Sequence, residues 1–194
     1  SGYQKQFDTN VYEGVSINDL IYKSNGKYTD SGIKNNYSLL FKNTNIKGKN
    51  SSQYENDLNH DLLTSFLMES SYPLKKEGIT FNNYFTPTIA YRFSPNNSKD
   101  IRNDDRRIDI NNIFSFNRLG RADTIENGQS ITLGGKYEKK DKKNNDFLSL
   151  NLATVFRDKI NENLPIKSSI GRKTSDIVGN FNLVPNKYLN LDYN

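Results

Sequence analysis

Along this chain apolar side chains recur at every second position, the period of a β-strand, and they do so in one segment after another. Val15, Ile17 and Ile21 alternate with Ser16, Asn18 and Leu20. Ile33, Tyr37, Leu39 and Phe41 share a face, with Lys34, Asn36, Ser38 and Lys42 on the other. Leu58, His60, Leu62, Phe66 and Met68 stand opposite Asn59, Asp61, Leu63 and Ser65, although Leu62 to Met68 can also be read as helix. Phe85, Ile89, Tyr91 and Phe93 oppose Tyr84, Thr86, Ala90 and Arg92. In the second half Ile131, Leu133 and Tyr137 face away from Thr132, Lys136 and Glu138. Leu148, Leu150, Leu152 and Phe156 then oppose Ser149, Asn151, Ala153 and Arg157. Ile177, Phe181 and Leu183 oppose Asp176, Asn180 and Asn182, and Leu189, Leu191 and Tyr193 oppose Asn190, Asp192 and Asn194. The pattern predicts an all-β antiparallel meander of about eight strands.

The connections fall into two kinds. Ser24-Asn25-Gly26-Lys27 and Val184-Pro185-Asn186-Lys187 have compact hairpin-turn chemistry, and Lys139 to Asn145 is a charged, turn-like break. Residues 94–127 and 158–169 are long, polar and rich in Asn. Short turns alternating with long polar loops are the plan of a transmembrane barrel. Strands of about 10 residues suit a tilted crossing of the hydrocarbon layer. Tyr22, Tyr72, Tyr91, Tyr137, Tyr188 and Tyr193 fall near strand ends, where barrels carry aromatic girdles.

Composition fits a wall better than a soluble core. Only 34% of the residues are hydrophobic and the mean hydropathy is −0.83, values that lean toward disorder in a soluble chain. Against disorder stand the alternation and the 12 Tyr and 11 Phe. A barrel reconciles the two, because one face of each strand meets lipid and the other a polar interior. No run approaches the roughly 18 apolar residues of a transmembrane helix. Closed barrels are the other structure that satisfies every backbone polar group in hydrocarbon. There are no cysteines, which excludes disulfides, thiolate metal sites and thiol nucleophiles within the chain. The net charge of +5 comes largely from dispersed lysines, and Lys139-Lys140-Asp141-Lys142-Lys143 reads as a solvated turn rather than a nucleic-acid surface. Abundant Asn, Lys and Ile point to an AT-rich genome. Ser1 in place of Met and a strand pattern running to Asn194 read as cut ends, so residues 1–194 are expected to be one partial barrel domain. The same alternation also builds a soluble β-sandwich used for binding or adhesion. A porin or small-solute receptor stays open as well.

Catalytic chemistry is sparse. His60 is the sole histidine and lies on an apolar strand face; Ser65 and Asp61 are near in sequence, without a nucleophile-elbow glycine pattern. The stretch Asn103-Asp104-Asp105-Arg106-Arg107-Ile108-Asp109 has oxygen ligands but no calcium-loop spacing, and its arginines make it an ion-pair cluster. Gly134-Gly135 sits inside a strand pattern, where glycine marks a bend or close packing. No catalytic residue, cofactor or metal site is expected.

The stretch RIDINNIFSFNRLGRADTIENGQSITLGGKY, from Arg107 to Tyr137, resembles a segment of LptD-family barrels, particularly alphaproteobacterial ones. The matching residues are Phe114, Ser115, Asn117, Arg118, Asp123, Glu126 and Gly128. Arg121 and Ala122 stand where the family pattern has Gly and an aromatic, and Thr124 where it has Arg. Thr86 to Asn96 and Ser175 to Tyr193 resemble the flanking strands of the same family. The resemblance implies a non-enzymatic outer-membrane protein that passes lipopolysaccharide into the outer leaflet, with an LptE-like lipoprotein and periplasmic bridge proteins as partners. It further implies a large barrel, of which this chain is an interior run without the periplasmic jelly-roll domain or the remaining strands. On that plan Ser149, Asn151, Asn180, Asn182, Asn190 and Asp192 face the lumen, and Leu148, Leu150, Leu152, Phe181, Leu189 and Leu191 face lipid.

Overall fold

A computed structural model of the chain describes residues 2–6, 10–52, 54–186 and 188–194. The strands are β1 (Gly2–Gln6), β2 (Tyr12–Lys23), β3 (Lys27–Tyr28), β4 (Lys34–Lys49), β5 (Asn59–Ser71) and β6 (Leu74–Glu77). They continue with β7 (Phe81–Ser94), β8 (Gly128–Asp141), β9 (Asp146–Arg157), β10 (Val178–Asn186) and β11 (Leu189–Tyr193). All eleven belong to one sheet, in which the order β1-β2-β4-β5-β7-β8-β9-β10-β11 follows the sequence and every pairing is antiparallel. A second sheet, as a β-sandwich requires, does not occur among the described residues. Among those residues β1 and β11 do not pair with each other, so the meander is open here.

The alternating segments map onto β2, β4, β5, β7, β8, β9, β10 and β11. The sequence reading missed β1, whose GYQKQ has a single large apolar side chain and no alternation to see. The other two strands are prolongations: β3 carries β2 onward against β4, and β6 carries β5 onward against β7. Ser24 to Lys27 is therefore not the hairpin turn its composition suggested. It is an interruption within the strand, closed by the Ser24 amide donating to the Tyr37 carbonyl (2.8 Å) and the Tyr37 amide donating to Ser24 Oγ (2.8 Å). The chain reverses later, at Thr29 to Gly32, where Gly32 takes a positive φ of 85°. Leu62 to Met68 is strand, not helix, because β4 pairs along the whole of it. Val184 to Asn186 stays in β10, so the reversal comes later than predicted, and Lys187 lies outside the described residues.

Short reversals at 29–32, 78–80 and 142–145 share one rim with the β10–β11 turn. The connections 50–58, 95–127 and 158–177 leave from the other rim. The two longest do not extend away from the sheet. They fold back over one of its faces and bury an apolar cluster against β9: Ile101, Ile108, Ile113, Leu119, Leu164 and Ile170 pack on Ala153 and Val155. Gly134, on the same face of β8, is what lets this layer approach. A Cβ there would lie 2.8 Å from the Phe114 ring and 2.8 Å from Ala153 Cβ, closer than carbon atoms tolerate.

Candidate functional site

The two faces of the sheet have inverted polarity for a protein in water. On the face beneath the folded loops, Arg92 (1% exposed), Ser94 (1%), Ser130 (3%) and Thr132 (3%) are buried. On the bare face of β7, β8 and β9, Phe85 (46% exposed), Ile89 (47%), Phe93 (42%), Leu133 (44%) and Phe156 (41%) are open. Register makes these two sets complete faces rather than scattered residues: Ile89 pairs with Leu133, Tyr91 with Ile131 and Phe85 with Tyr137. Strand β2 departs from the rule. Its apolar Val15 and Ile17 face the covered side and pack on Ile46 and Tyr54, while Ser16 and Asn18 look outward beside Asn43 and Asn45. The reason is position: β5 first pairs with β7 at Phe66–Phe93, so this end of β2, β4 and β5 overhangs the bare apolar band.

At the centre of the covered face three strands place a row across the sheet, Arg92 on β7 beside Ser130 on β8 beside Arg157 on β9. The 95–127 loop lays Arg118 and Glu126 over that row. Glu126 Oε1 accepts from Arg92 Nη2 (2.8 Å), Arg118 Nη2 (2.6 Å) and Arg157 Nη1, and Oε2 accepts from Arg118 Nε (2.8 Å). Arg118 also donates to Ser130 Oγ (2.7 Å) and Thr132 Oγ1 (3.3 Å), and Arg92 to the Glu126 carbonyl (2.5 Å). All four charged side chains are at most 3% exposed. One carboxylate shared by three guanidinium groups leaves an excess of two positive charges in a dry place. Burial pulls Arg118 down to about 9, the direction expected for a cation removed from water. Arg92 Nε and Arg157 Nη2 have no hydrogen-bond partner among the described residues.

The other motif residues shape the loop around this clamp. Phe114 covers Gly134. Ser115 Oγ accepts the Asn117 amide (3.1 Å), and Asn117 Nδ2 donates to the Arg121 carbonyl (3.0 Å), closing the turn that carries Arg118. Asp123 accepts from Arg121 Nε (2.8 Å) and Nη2 (2.9 Å), and Arg121 reaches on to Asp104 (2.6 Å). Burial alone would raise the Asp123 carboxyl, but Arg121 and Lys99 outweigh it and hold it below the usual aspartate range. Arg121, two residues before Asp123, is thus the arginine that pairs with that carboxylate. Gly128 begins β8 with a positive φ of 78°. The two loops are tied together where Ser98 Oγ accepts the Asn127 amide (3.0 Å) and Asn161 Nδ2 donates to Asn127 Oδ1.

Toward the short-turn rim the covered face continues as an uncovered polar surface. Register puts Ser149, Asn151, Asn180, Asn182, Asn190 and Asp192 on it, and Leu148, Leu150, Leu152, Phe181, Leu189 and Leu191 on the reverse. Amide side chains bridge the strands: Asn151 to Asn180 (2.5 Å), and Asn182 to both Asn190 (2.8 Å) and Asp192 (2.5 Å). Pairing places Asn59 on the side of Ile46, so Asp61 and Ser65 face the covered side and His60 the other, where its Nδ1 meets Asn45 Oδ1. The histidine and the serine cannot meet across the sheet. In the acidic stretch Arg107 pairs with Asp105 (3.2 Å), while Asp109 Oδ1 accepts the Asn111 (2.7 Å) and Asn112 (3.0 Å) amides. The predicted loop residues Arg118 and Glu126 thus meet in the clamp, and sequence reasoning did not foresee Arg92 and Arg157 as their partners.

One family matches the sequence, LptD: LPS transport system D, over residues 29–194. No curated protein matches the chain. The match spans the clamp, the covering loops and every strand from β4 onward. The chain therefore belongs to the LptD family, which serves lipopolysaccharide transport in the outer membrane of Gram-negative bacteria.

Proposed function

We propose that this chain supplies wall strands of a barrel translocon through which lipopolysaccharide reaches the outer leaflet. The bare apolar face would meet lipid, the covered polar face would line the lumen, and the folded loops would sit inside it. The observation that carries this reading is the inverted polarity, with Arg92 and Arg157 inside and Ile89, Phe93, Leu133 and Phe156 outside. Dimensions support it. From Phe85 to Phe93 the apolar face of β7 runs about 26 Å along the strand at roughly 3.3 Å per residue, the scale of the ~25 Å apolar band of outer-membrane barrels. The short-turn rim would face the periplasm and the long-loop rim the exterior. In this setting the amide ladder from Asn151 to Asp192 offers donors and acceptors to sugar hydroxyls and phosphates. The partners would be lipopolysaccharide, an LptE-like lipoprotein and the periplasmic bridge proteins.

The test is a cysteine scan of the intact protein in isolated outer membranes, at Ser149, Leu150, Asn151 and Leu152 in turn, with a water-soluble thiol reagent. Labelling at Ser149 and Asn151 alone is the expected outcome. Equal labelling at all four sites would remove the lipid-facing wall.

A further inference from the structure

Resting on the barrel reading, we propose that the short-turn rim carries a docking site for the headgroup of an anionic phospholipid on its outer face, built by Lys76 and Lys139. Register sets two successive rows side by side across β6, β7 and β8. The first is Leu74–Phe85–Tyr137, apolar and aromatic. The next, one step closer to the short turns, is Lys76–Asn83–Lys139. With neighbouring strands ~4.8 Å apart, the two lysine Cα atoms are separated by roughly 9.5 Å. That gap lets two flexible ammonium groups converge on one phosphodiester above Asn83.

The lysines of β6 and β8 divide by face. Those on the covered side are neutralised: Lys75 pairs with Glu77 (2.6 Å), Lys136 with Glu138 (3.1 Å), and Lys140 with Glu138 (3.3 Å) and Asp146 (3.2 Å). Lys76 and Lys139, on the bare side, pair with no carboxylate among the described residues. Lys139 is instead held against aromatic rings, its Nζ 4.5 Å from the Phe81 centroid and 5.1 Å from Phe147, with those two rings 4.8 Å apart. Tyr137 donates its hydroxyl to Asn83 Oδ1 (2.7 Å), which turns the amide's NH2 group free for an acceptor. Apolar row, aromatic boundary and unneutralised cations follow in the order that a leaflet presents acyl chain, glycerol and phosphate. Charge complementarity selects an anionic headgroup over a zwitterionic one, because a choline or ethanolamine cation would meet two lysines.

The experiment takes the intact protein, delipidated in detergent, and titrates it with dioleoyl phosphatidylglycerol, counting retained lipid by native mass spectrometry. Each lysine at a membrane surface is worth about a fivefold change in binding, so Lys76→Gln with Lys139→Gln weakens retention by roughly 25-fold. Phosphatidylcholine retention stays unchanged in that variant, and Lys159→Gln with Lys167→Gln at the opposite rim leaves phosphatidylglycerol binding intact. Equal phosphatidylglycerol binding by the wild type and the Lys76/Lys139 variant overturns the proposal. A cysteine at Leu133 separates the two levels of inference. If it is shielded from a water-soluble reagent while the lysine variant shows no loss, the lipid site alone falls; if it labels freely, the barrel reading and the lipid site fall together.

Discussion

Replacing Glu126 with Gln leaves three guanidinium groups within contact of one another and no carboxylate among them. Glu126 accepts four charged hydrogen bonds in a site where every partner is at most 3% exposed. Removing one member of a buried ion pair costs about 3–5 kcal/mol, because the remaining charge stays buried and unpaired. The strands β7, β8 and β9 have their ladder bonds to hold them, so the loss falls on the 95–127 loop, which Glu126 and Arg118 fasten to the wall. A loss of that size raises the fraction of molecules with the loop lifted by roughly 140- to 3,700-fold, at about 1.4 kcal/mol per tenfold. Arg118 is buried in the native protein and becomes a trypsin site only when the loop lifts. In wild-type protein cleavage after Arg118 should be far slower than after the exposed Arg106 and Arg107; in Glu126→Gln it should accelerate by at least a hundredfold. Adding Arg157→Met to Glu126→Gln removes one of the stranded cations and should recover part of the protection. Unchanged cleavage after Arg118 in Glu126→Gln would refute the clamp as what holds the loop.

Three further outcomes follow from the same geometry. Gly134→Val drives a side chain into Phe114 and Ala153 and should destabilise the loop layer by about 1–3 kcal/mol, seen as faster amide exchange across residues 110–119. Ile170→Ala opens a cavity in the cluster under the second loop and should cost about 2–5 kcal/mol, read from the unfolding midpoint in denaturant. The Asp123 carboxyl is held below its ordinary range by Arg121 and Lys99, so its contribution is complete above that range and disappears as pH falls through the lowered folded value. The protection factors of amides 121–124, with the intrinsic pH dependence of exchange divided out, should therefore be flat from neutral pH down to the ordinary aspartate range and fall below it, and Asp123→Asn should abolish the fall.

The strands were legible because alternation is a local property: Ile131, Leu133 and Tyr137 declare their face without reference to any other part of the chain. Which side chains share a face was legible for the same reason wherever the alternation is clean. Which side of the sheet that face occupies was not: at β2 Val15 and Ile17 pack on the covered side, whereas Ile89 and Leu133 lie on the bare one. Turn chemistry misled at Ser24 to Gly26, since Ser, Asn and Gly serve an interruption within a strand as well as a reversal. The clamp was only half visible. Arg118 and Glu126 stand in the recognisable motif, but Arg92 and Arg157 lie 65 residues apart in strands that give no local sign of converging, and only the register through Ser130 unites them. Nor could composition reveal that residues 95–127 fold inward, because Ile101, Ile108, Ile113 and Leu119 are spaced irregularly among charges.

The apolar cluster beneath the loops separates two driving forces that a barrel wall usually merges. On the proposed barrel reading, burial of the bare face gains nothing until acyl chains are present to receive it. Ile101, Ile113, Leu164 and Ile170, by contrast, close on Ala153 and Val155 with the ordinary hydrophobic effect of an aqueous protein. The segment from β7 to β10 thus contains a nucleus able to condense in water without a bilayer. In the proposed wall, the order of biogenesis that this favours is local compaction first and insertion second, with four neighbouring strands, β7 to β10, delivered to the membrane already in register.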